Sequence, residues 1–133
     1  MATRHQVRES IIALLYAKDI GNENIEDFLD DILEDKKIRN DQKEFAISLF
    51  DGIFNNLQEI DNAISKHLKQ WQIDDLAHIE RSILRLGTYE ILKTNLDKAI
   101  IINEAIELAK KLGGDNATKF VNGVLDAIKR DNS

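Results

Sequence analysis

The run from Ile101 to Ile128, IINEAIELAKKLGGDNATKFVNGVLDAI, leaves the chain few choices of fold. Ile101, Ile102, Ala105, Ile106, Leu108, Ala109 and Leu112 recur at the spacing that gathers side chains on one side of a helix. Lys110 and Lys111 then suit the negative end of that helix, and Gly113 and Gly114 accept the turn that ends it. Asp115 or Asn116 is placed to cap a second helix whose apolar stripe is Val121, Val124, Leu125 and Ile128. Two amphipathic helices meeting at a tight corner cannot bury their stripes alone. They need further helices to pack against.

The remaining sequence supplies them. Thr3 and Gln6 form a capping box that opens a helix at Arg4, with Val7, Ile11, Leu14 and Leu15 as its buried stripe. Gly21 and Asn22 break it. A second helix from about Ile25 is expected to bury Ile25, Phe28, Leu29, Ile32 and Leu33 and to turn six carboxylates outward. From Asp41 to Leu68 the periodicity predicts one long helix, or two with a bend near Gly52 or Asn55 and Asn56. Trp71 to Asp75 reads as a connector, and Asp74 or Asp75 is expected to cap a helix burying Leu76, Ile79, Ile83 and Leu86. Glu90 lies on that same stripe, so it needs donors, for which the backbone amides of a neighbouring helix start are the expected source. Asp97 caps the following helix, with Leu96 as its staple. The prediction is an all-α chain: a compact bundle of about six or seven helices over residues 1–133, as one body or as two helical subdomains.

Composition narrows the function. The absence of proline favours uninterrupted helices, and the absence of cysteine excludes disulfides, thiolate chemistry and cysteine-bound metal. His5, His67 and His78 lack ligand spacing, and the acidic segment lacks the glycine and alternating ligands of a calcium loop. No metal or cofactor is expected. The apolar run Ile11–Ala17 is too short to span a membrane and lacks a cleavage pattern, which predicts a cytoplasmic protein. The net charge of -6 is unevenly spread. Residues 1–18 carry three bases against one acid, residues 19–61 four against thirteen, and residues 62–133 eleven against ten. Acidity is therefore confined to one segment, and both ends remain open to an anionic partner.

Each end carries cations beside rings. Arg8, His5, Ile12 and Tyr16 fall together on the flank of the first helix, which suits phosphates and a stacked base. The alternative is a solvated basic turn with Tyr16 at the rim of the core. On the last helix Phe120 lies at the edge of the stripe with Asn116, Lys119 and Gly123 nearby. A base, a ring and a glycine that bares the backbone suit a single-stranded nucleic acid. Equally, Phe120 can be core and Gly123 a point of close helix approach. No catalytic triad, phosphate loop, dinucleotide fingerprint or zinc motif is present, so a binding module outranks an enzyme. Glu80, Leu84 and Ile91 share another flank and offer a contact strip for a protein partner.

NEAIELAK followed by KFVNGVLD resembles the C-terminal signature of the NusB family of bacterial transcription antitermination factors. ERSILRLGTYEIL and RESIIALLY resemble the same family, so the likeness runs from about Arg4 to Ile128. It implies an all-helical protein that binds the boxA element of ribosomal RNA leader transcripts together with NusE, a small-subunit ribosomal protein. The assembly joins RNA polymerase and suppresses Rho-dependent termination. Position by position, it assigns RNA contact to Arg4, His5, Arg8 and Tyr16, and to Asn116, Lys119, Phe120, Asn122 and Gly123. Glu80, Leu84 and Ile91 are then assigned to NusE.

The resemblance further implies that the first and last helices lie together as one RNA surface. Charge reversal at Arg4 and Arg8 is then expected to abolish RNA binding and leave the fold intact. The N-terminal arm has fewer arginines than is usual in the family, which implies a shallow salt dependence alone and tighter binding with NusE. The same helical domain also fronts ribosomal RNA cytosine methyltransferases, but no methyl-donor motif is present. The competing reading is a helical adaptor, or a homodimer, that binds proteins without RNA.

Overall fold

The computed structural model describes residues 2–133, the side chain of Asp115 excepted. Seven α-helices and no strand occur among them: α1 (Arg4–Asp19), α2 (Leu29–Asp35), α3 (Asp41–Asn55), α4 (Leu57–Ser65), α5 (His78–Lys93), α6 (Lys98–Leu112) and α7 (Asp115–Asp131). Single 3₁₀ turns, Ile25–Phe28 and Ile73–Asp75, precede α2 and α5. None of these helices is long and apolar enough to cross a membrane.

Local chemistry sets most boundaries. The Thr3 hydroxyl accepts from the Gln6 amide at 3.1 Å while the Gln6 side chain accepts from the Thr3 amide at 2.8 Å, which opens α1 as expected. Gly21 ends the turn after α1 at φ +118°, a conformation that suits glycine. The expected long helix is two, broken at Asn56, whose side chain donates to the Gly52 carbonyl at 2.7 Å. Asp97 accepts from the Ala99 amide at 2.8 Å and caps α6. One expected cap is absent. Ala77 occupies the cap position of α5, and Asp75 instead accepts from the Gln72 amide at 2.9 Å. Gly114, at φ +88°, occupies that of α7, while capping by the Asp115 side chain lies outside the described residues.

The second helix departs from expectation because it starts as a 3₁₀ turn. Tighter winding shifts the phase of the stripe, so Ile25, Leu29 and Leu33 are buried but Phe28 is 54% exposed. The helix ends in a Schellman turn: the Ile38 amide donates to the Leu33 carbonyl and the Lys37 amide to Glu34, both at 2.9 Å. The left-handed position that usually takes glycine is filled by Lys37, at φ +59°.

Helix α5 is the axis of the molecule. It packs against α1, α3, α4, α6 and α7, and one hydrophobic core runs through all of these interfaces. Glycines allow two of the close approaches: a Cβ on Gly52 of α3 would strike the Tyr89 ring, and one on Gly87 of α5 would lie 2.9 Å from Leu125 of α7. Burial therefore extends around α5 well beyond the predicted stripe. Leu84 and Ile91, expected to face a partner, are buried in the core. That assignment is corrected: the flank that looks spare on α5 alone is covered by the helices that pack around it. Only Glu80 of the trio reaches solvent.

Two ionic clusters join α1 to α5. Arg8 donates to both oxygens of Glu90 at 2.8 Å, and both side chains are buried. Burial by itself lowers the Arg8 pKa, but the hydrogen bonds and charge of Glu90, with the charge of Glu104, raise it above its ordinary value. Glu90 thus finds its donors on a guanidinium and not on backbone amides. At the other end Asp19 accepts from Arg81 at 2.6 and 3.0 Å and pairs with His78 at 2.5 Å. Arg85 reaches Asp19 at 3.6 Å and makes a two-pronged pair with Asp61 of α4 at 2.9 Å. Burial pushes the Asp19 carboxyl up, but the hydrogen bonds of His78 and Arg81 and the charges of Arg81 and Arg85 hold it below the ordinary carboxylate range.

Removing one partner of a buried pair strands the other, so Arg8→Ala should cost roughly 3–5 kcal/mol in urea melts. The double change Arg8→Met with Glu90→Leu should recover most of that loss. A carboxylate with a depressed pKa stabilises the fold above its unfolded pKa of about 4 and ceases to do so as pH falls through the folded value. Asp19→Asn should therefore destabilise the protein at pH 7, and the gap to the parent should narrow in melts taken at pH 3.

Candidate nucleic-acid interface

Two exposed rings, Tyr16 and Trp71, lie along a strip that runs from α1 past the start of α5 to α7. A groove of about 720 Å³ runs along α1 from Gln6 to Tyr16, walled by Lys36 and Lys37 and closed by Ile79 of α5 and Leu112 of α6. Tyr16 is 36% exposed and stands edge-on to His78, ring centres 6.1 Å apart. The next residues of α5 continue the strip, because Glu80 lines a shallow depression of about 250 Å³ with Asn116, Phe120 and Trp71. Beyond Phe120 and Trp71 a second groove, about 610 Å³, lies between α7 and the segment joining α4 to α5. Its walls carry Lys69, Lys119 and Arg130.

Packing explains why these residues stay outside. Ala117, Val121, Val124, Leu125 and Ile128 turn into the core, which leaves Asn116, Lys119, Asn122 and Gly123 exposed and Phe120 half-buried at the margin. A Cβ on Gly123 would meet nothing within 4 Å, so no helix uses this glycine for close approach. Its backbone faces open space.

The nine residues assigned to RNA therefore divide. Tyr16, Asn116, Lys119, Phe120 and Gly123 line the strip. Asn122 is exposed but lines none of its three depressions. Arg4, His5 and Arg8, on the first turns of α1, line none of the three depressions, and Arg4 lies about 18 Å from Tyr16 by helical rise. The Arg4 guanidinium stacks 4.4 Å above the Phe45 ring, and His5 pairs with Glu104 of α6 at 2.7 Å. Arg8 is buried against Glu90 and cannot reach a phosphate in this arrangement.

Two expectations are corrected by this geometry. Helices α1 and α7 do not form one surface by lying side by side. α1 packs on α3 and α5, α7 packs on α4, α5 and α6, and the start of α5 with the end of α6 bridges them. Charge reversal at Arg8 is also no neutral probe of binding, because it would set a second carboxylate against Glu90 inside the core.

Lys36, Lys37, Ile79 and Leu112 line the strip, and Lys69, Trp71 and Arg130 line the groove beyond it, but none was singled out from the sequence as a site residue. One signal was available. Trp71 is the only tryptophan, in a polar connector where a bulky ring has no helix stripe to join, and it is 60% exposed. Among the described residues no cluster of three or more histidine or carboxylate side chains gathers as a metal site.

Comparison with known proteins agrees with the fold and with the sequence blocks. The NusB family model matches residues 5–130. The transcription antitermination protein NusB of a Nitratiruptor species is 60% identical over 131 residues, covering 98% of this chain and 94% of that protein. The protein of the same name from Campylobacter fetus subsp. fetus is 54% identical over 132 residues, covering 99% and 100%. Among solved structures, T. maritima NusB superposes with a TM-score of 0.91 at 35% identity over 98% of this chain and 93% of that one. A crystal structure of antitermination factors NusB and NusE in complex with dsRNA superposes at 0.85 with 37% identity, covering 96% of each chain. With its sequence blocks, its seven helices and its relatives in agreement along nearly the whole length, the chain belongs to the NusB family.

Proposed function

We propose that this protein is a cytoplasmic transcription antitermination factor that binds boxA RNA of ribosomal leader transcripts together with NusE, as one RNA-binding domain spanning residues 1–133. The complex joins RNA polymerase and opposes Rho-dependent termination, and the protein is a binding factor, not an enzyme. The observation that carries this reading is the strip itself. Tyr16 and Phe120 offer ring surfaces along one edge of the molecule, with Lys36, Lys37 and Lys119 beside them. Rings with solvent-facing surfaces stack on unpaired bases, while the cations supply the sequence-independent attraction to phosphate.

The acidic face of α2, with Glu26, Asp27, Asp30, Asp31, Glu34 and Asp35 all exposed, repels a polyanion and confines it to the strip. Glu80 lies on the depression that also holds Asn116 and Phe120. The strip is therefore where RNA and NusE would meet, each covering part of the polar surface left by the other. Solved relatives include a NusB–NusE complex with dsRNA. For this chain the exposed rings favour unpaired bases over a duplex.

Lys37 adds a physical argument. A lysine in the left-handed region costs about 1–2 kcal/mol relative to a glycine that adopts it freely. Strain of that kind persists where a side chain serves another purpose, and here the side chain lines the groove that runs along α1.

The test is fluorescence anisotropy of labelled boxA RNA, a shuffled RNA and a duplex control, each with and without NusE. BoxA should bind most tightly, with NusE strengthening the preference, and the protein alone should show a shallow salt slope. Lys119→Glu should weaken boxA binding by roughly tenfold or more, about 1.4 kcal/mol, with an unchanged melt because the residue is exposed. Equal affinity for boxA and shuffled RNA in the presence of NusE would overturn the reading in favour of a protein-only adaptor. Lys37→Gly should raise stability by about 1 kcal/mol while lowering the salt slope of RNA binding by about one phosphate contact.

A further inference from the structure

The groove between α7 and the α4–α5 connector is unlike the rest of this acidic chain. Every titratable side chain on its wall is a base: His67, Lys69, Lys119 and Arg130. The carboxylates near it stand at its rim and are already engaged. Asp131 pairs with His67 at 2.7 Å and Lys66 at 3.5 Å, and Asp126 approaches Arg130 at 3.6 Å. Trp71, the only tryptophan of the chain, stands at one end with 60% of its surface in solvent. Gly123 contributes no side chain to the wall and Ala127, one turn later, only a methyl, so a ligand can approach the backbone of α7 closely.

We propose that this groove is a second station for single-stranded RNA, taking nucleotides that flank the boxA-binding strip. Trp71 stacks on a base, and Lys69 and Arg130 hold the phosphates on either side of it. The proposal rests on the antitermination reading and extends it past Phe120, which borders both sites, to the wall formed by Lys69 and Arg130. The occupant is a nucleic acid because the wall carries Lys69, Lys119 and Arg130 and no carboxylate. It is single-stranded because an exposed indole in a concave site can reach only a base that has left its stack. An acidic peptide would satisfy the lysines but leave the indole face without a planar partner.

The solitary tryptophan makes the test direct, since intrinsic emission reports Trp71 alone. Two RNAs are compared with NusE present: a minimal boxA element, and boxA extended by about six unpaired nucleotides on each side, within the usual span of single-strand sites. The extended RNA should bind roughly tenfold more tightly and quench Trp71 emission, whereas minimal boxA should leave emission nearly unchanged. Trp71→Ala should remove the advantage of the extended RNA, while minimal boxA should still bind in preference to its shuffled counterpart. Lys69→Glu combined with Arg130→Glu should do the same, in a variant that keeps the indole as reporter. If minimal boxA binds specifically and the flanks add nothing, or if Trp71 responds to NusE alone, the second station is overturned and the antitermination reading stands. If neither RNA outcompetes its shuffled counterpart, both fall.

Discussion

Helix α1 is fastened to α5 at both ends by charge, and the position of the candidate surface depends on that fastening. Near the N-terminus the Arg8 guanidinium lies against the Glu90 carboxylate away from water. Near the C-terminus Asp19 is gripped by Arg81, with His78 and Arg85 beside it. Apolar packing alone tolerates sliding of one helix along another, whereas a two-pronged ion pair in the interior does not. Losing either partner strands a charge that burial cannot accept. Two such constraints, on opposite ends of an antiparallel pair, set both the register and the direction of α1. Tyr16 is thereby held beside His78 and Ile79 at the start of α5.

The same arrangement divides the cations by task. Arg8 and Arg81 are structural, being buried and saturated by carboxylates. Arg85 bridges α1, α4 and α5 through Asp19 and Asp61. The lysines are different: Lys36, Lys37, Lys69 and Lys119 stay at the surface, where a mobile ammonium costs little to solvate and can meet a phosphate. A planar guanidinium with five donors is suited to filling a polar site in the interior. An arginine count along the sequence therefore misjudges the RNA-facing charge of this protein, because part of that count is spent inside.

Several elements were legible residue by residue. The α1 capping box, the Asp97 cap, the break near Asn56, the core stripes of α1 and α7 and that of α6 apart from Ile106, which is half-buried, and Leu112, which is exposed where the helix ends, follow from rules that act within one turn of helix. Lys119, Phe120 and Gly123 were placed correctly at the edge of the α7 stripe, since wheel position and burial agree where a helix has one covered face. Errors arose where a helix has several neighbours. Leu84 and Ile91 occupy a second flank of α5, and the helices packed around α5 cover it. Phe28 was misplaced because a 3₁₀ start changes the phase of a stripe in a way that residue spacing does not reveal.

What the sequence determined by itself was an all-helical chain, its family, and most of its helix boundaries, because helix periodicity and capping are local interactions written in neighbouring residues. Tertiary structure decided which cations face solvent, which rings share an edge, and how the two halves of the predicted surface are joined. Arg8 and Glu90 lie 82 positions apart, so no local pattern could foretell that one would neutralise the other. Tyr16 and Phe120 belong to one strip only because the first turn of α5 and the corner after α6 lie between them. That adjacency results from packing five helices around α5, and a one-dimensional pattern carries no information about it.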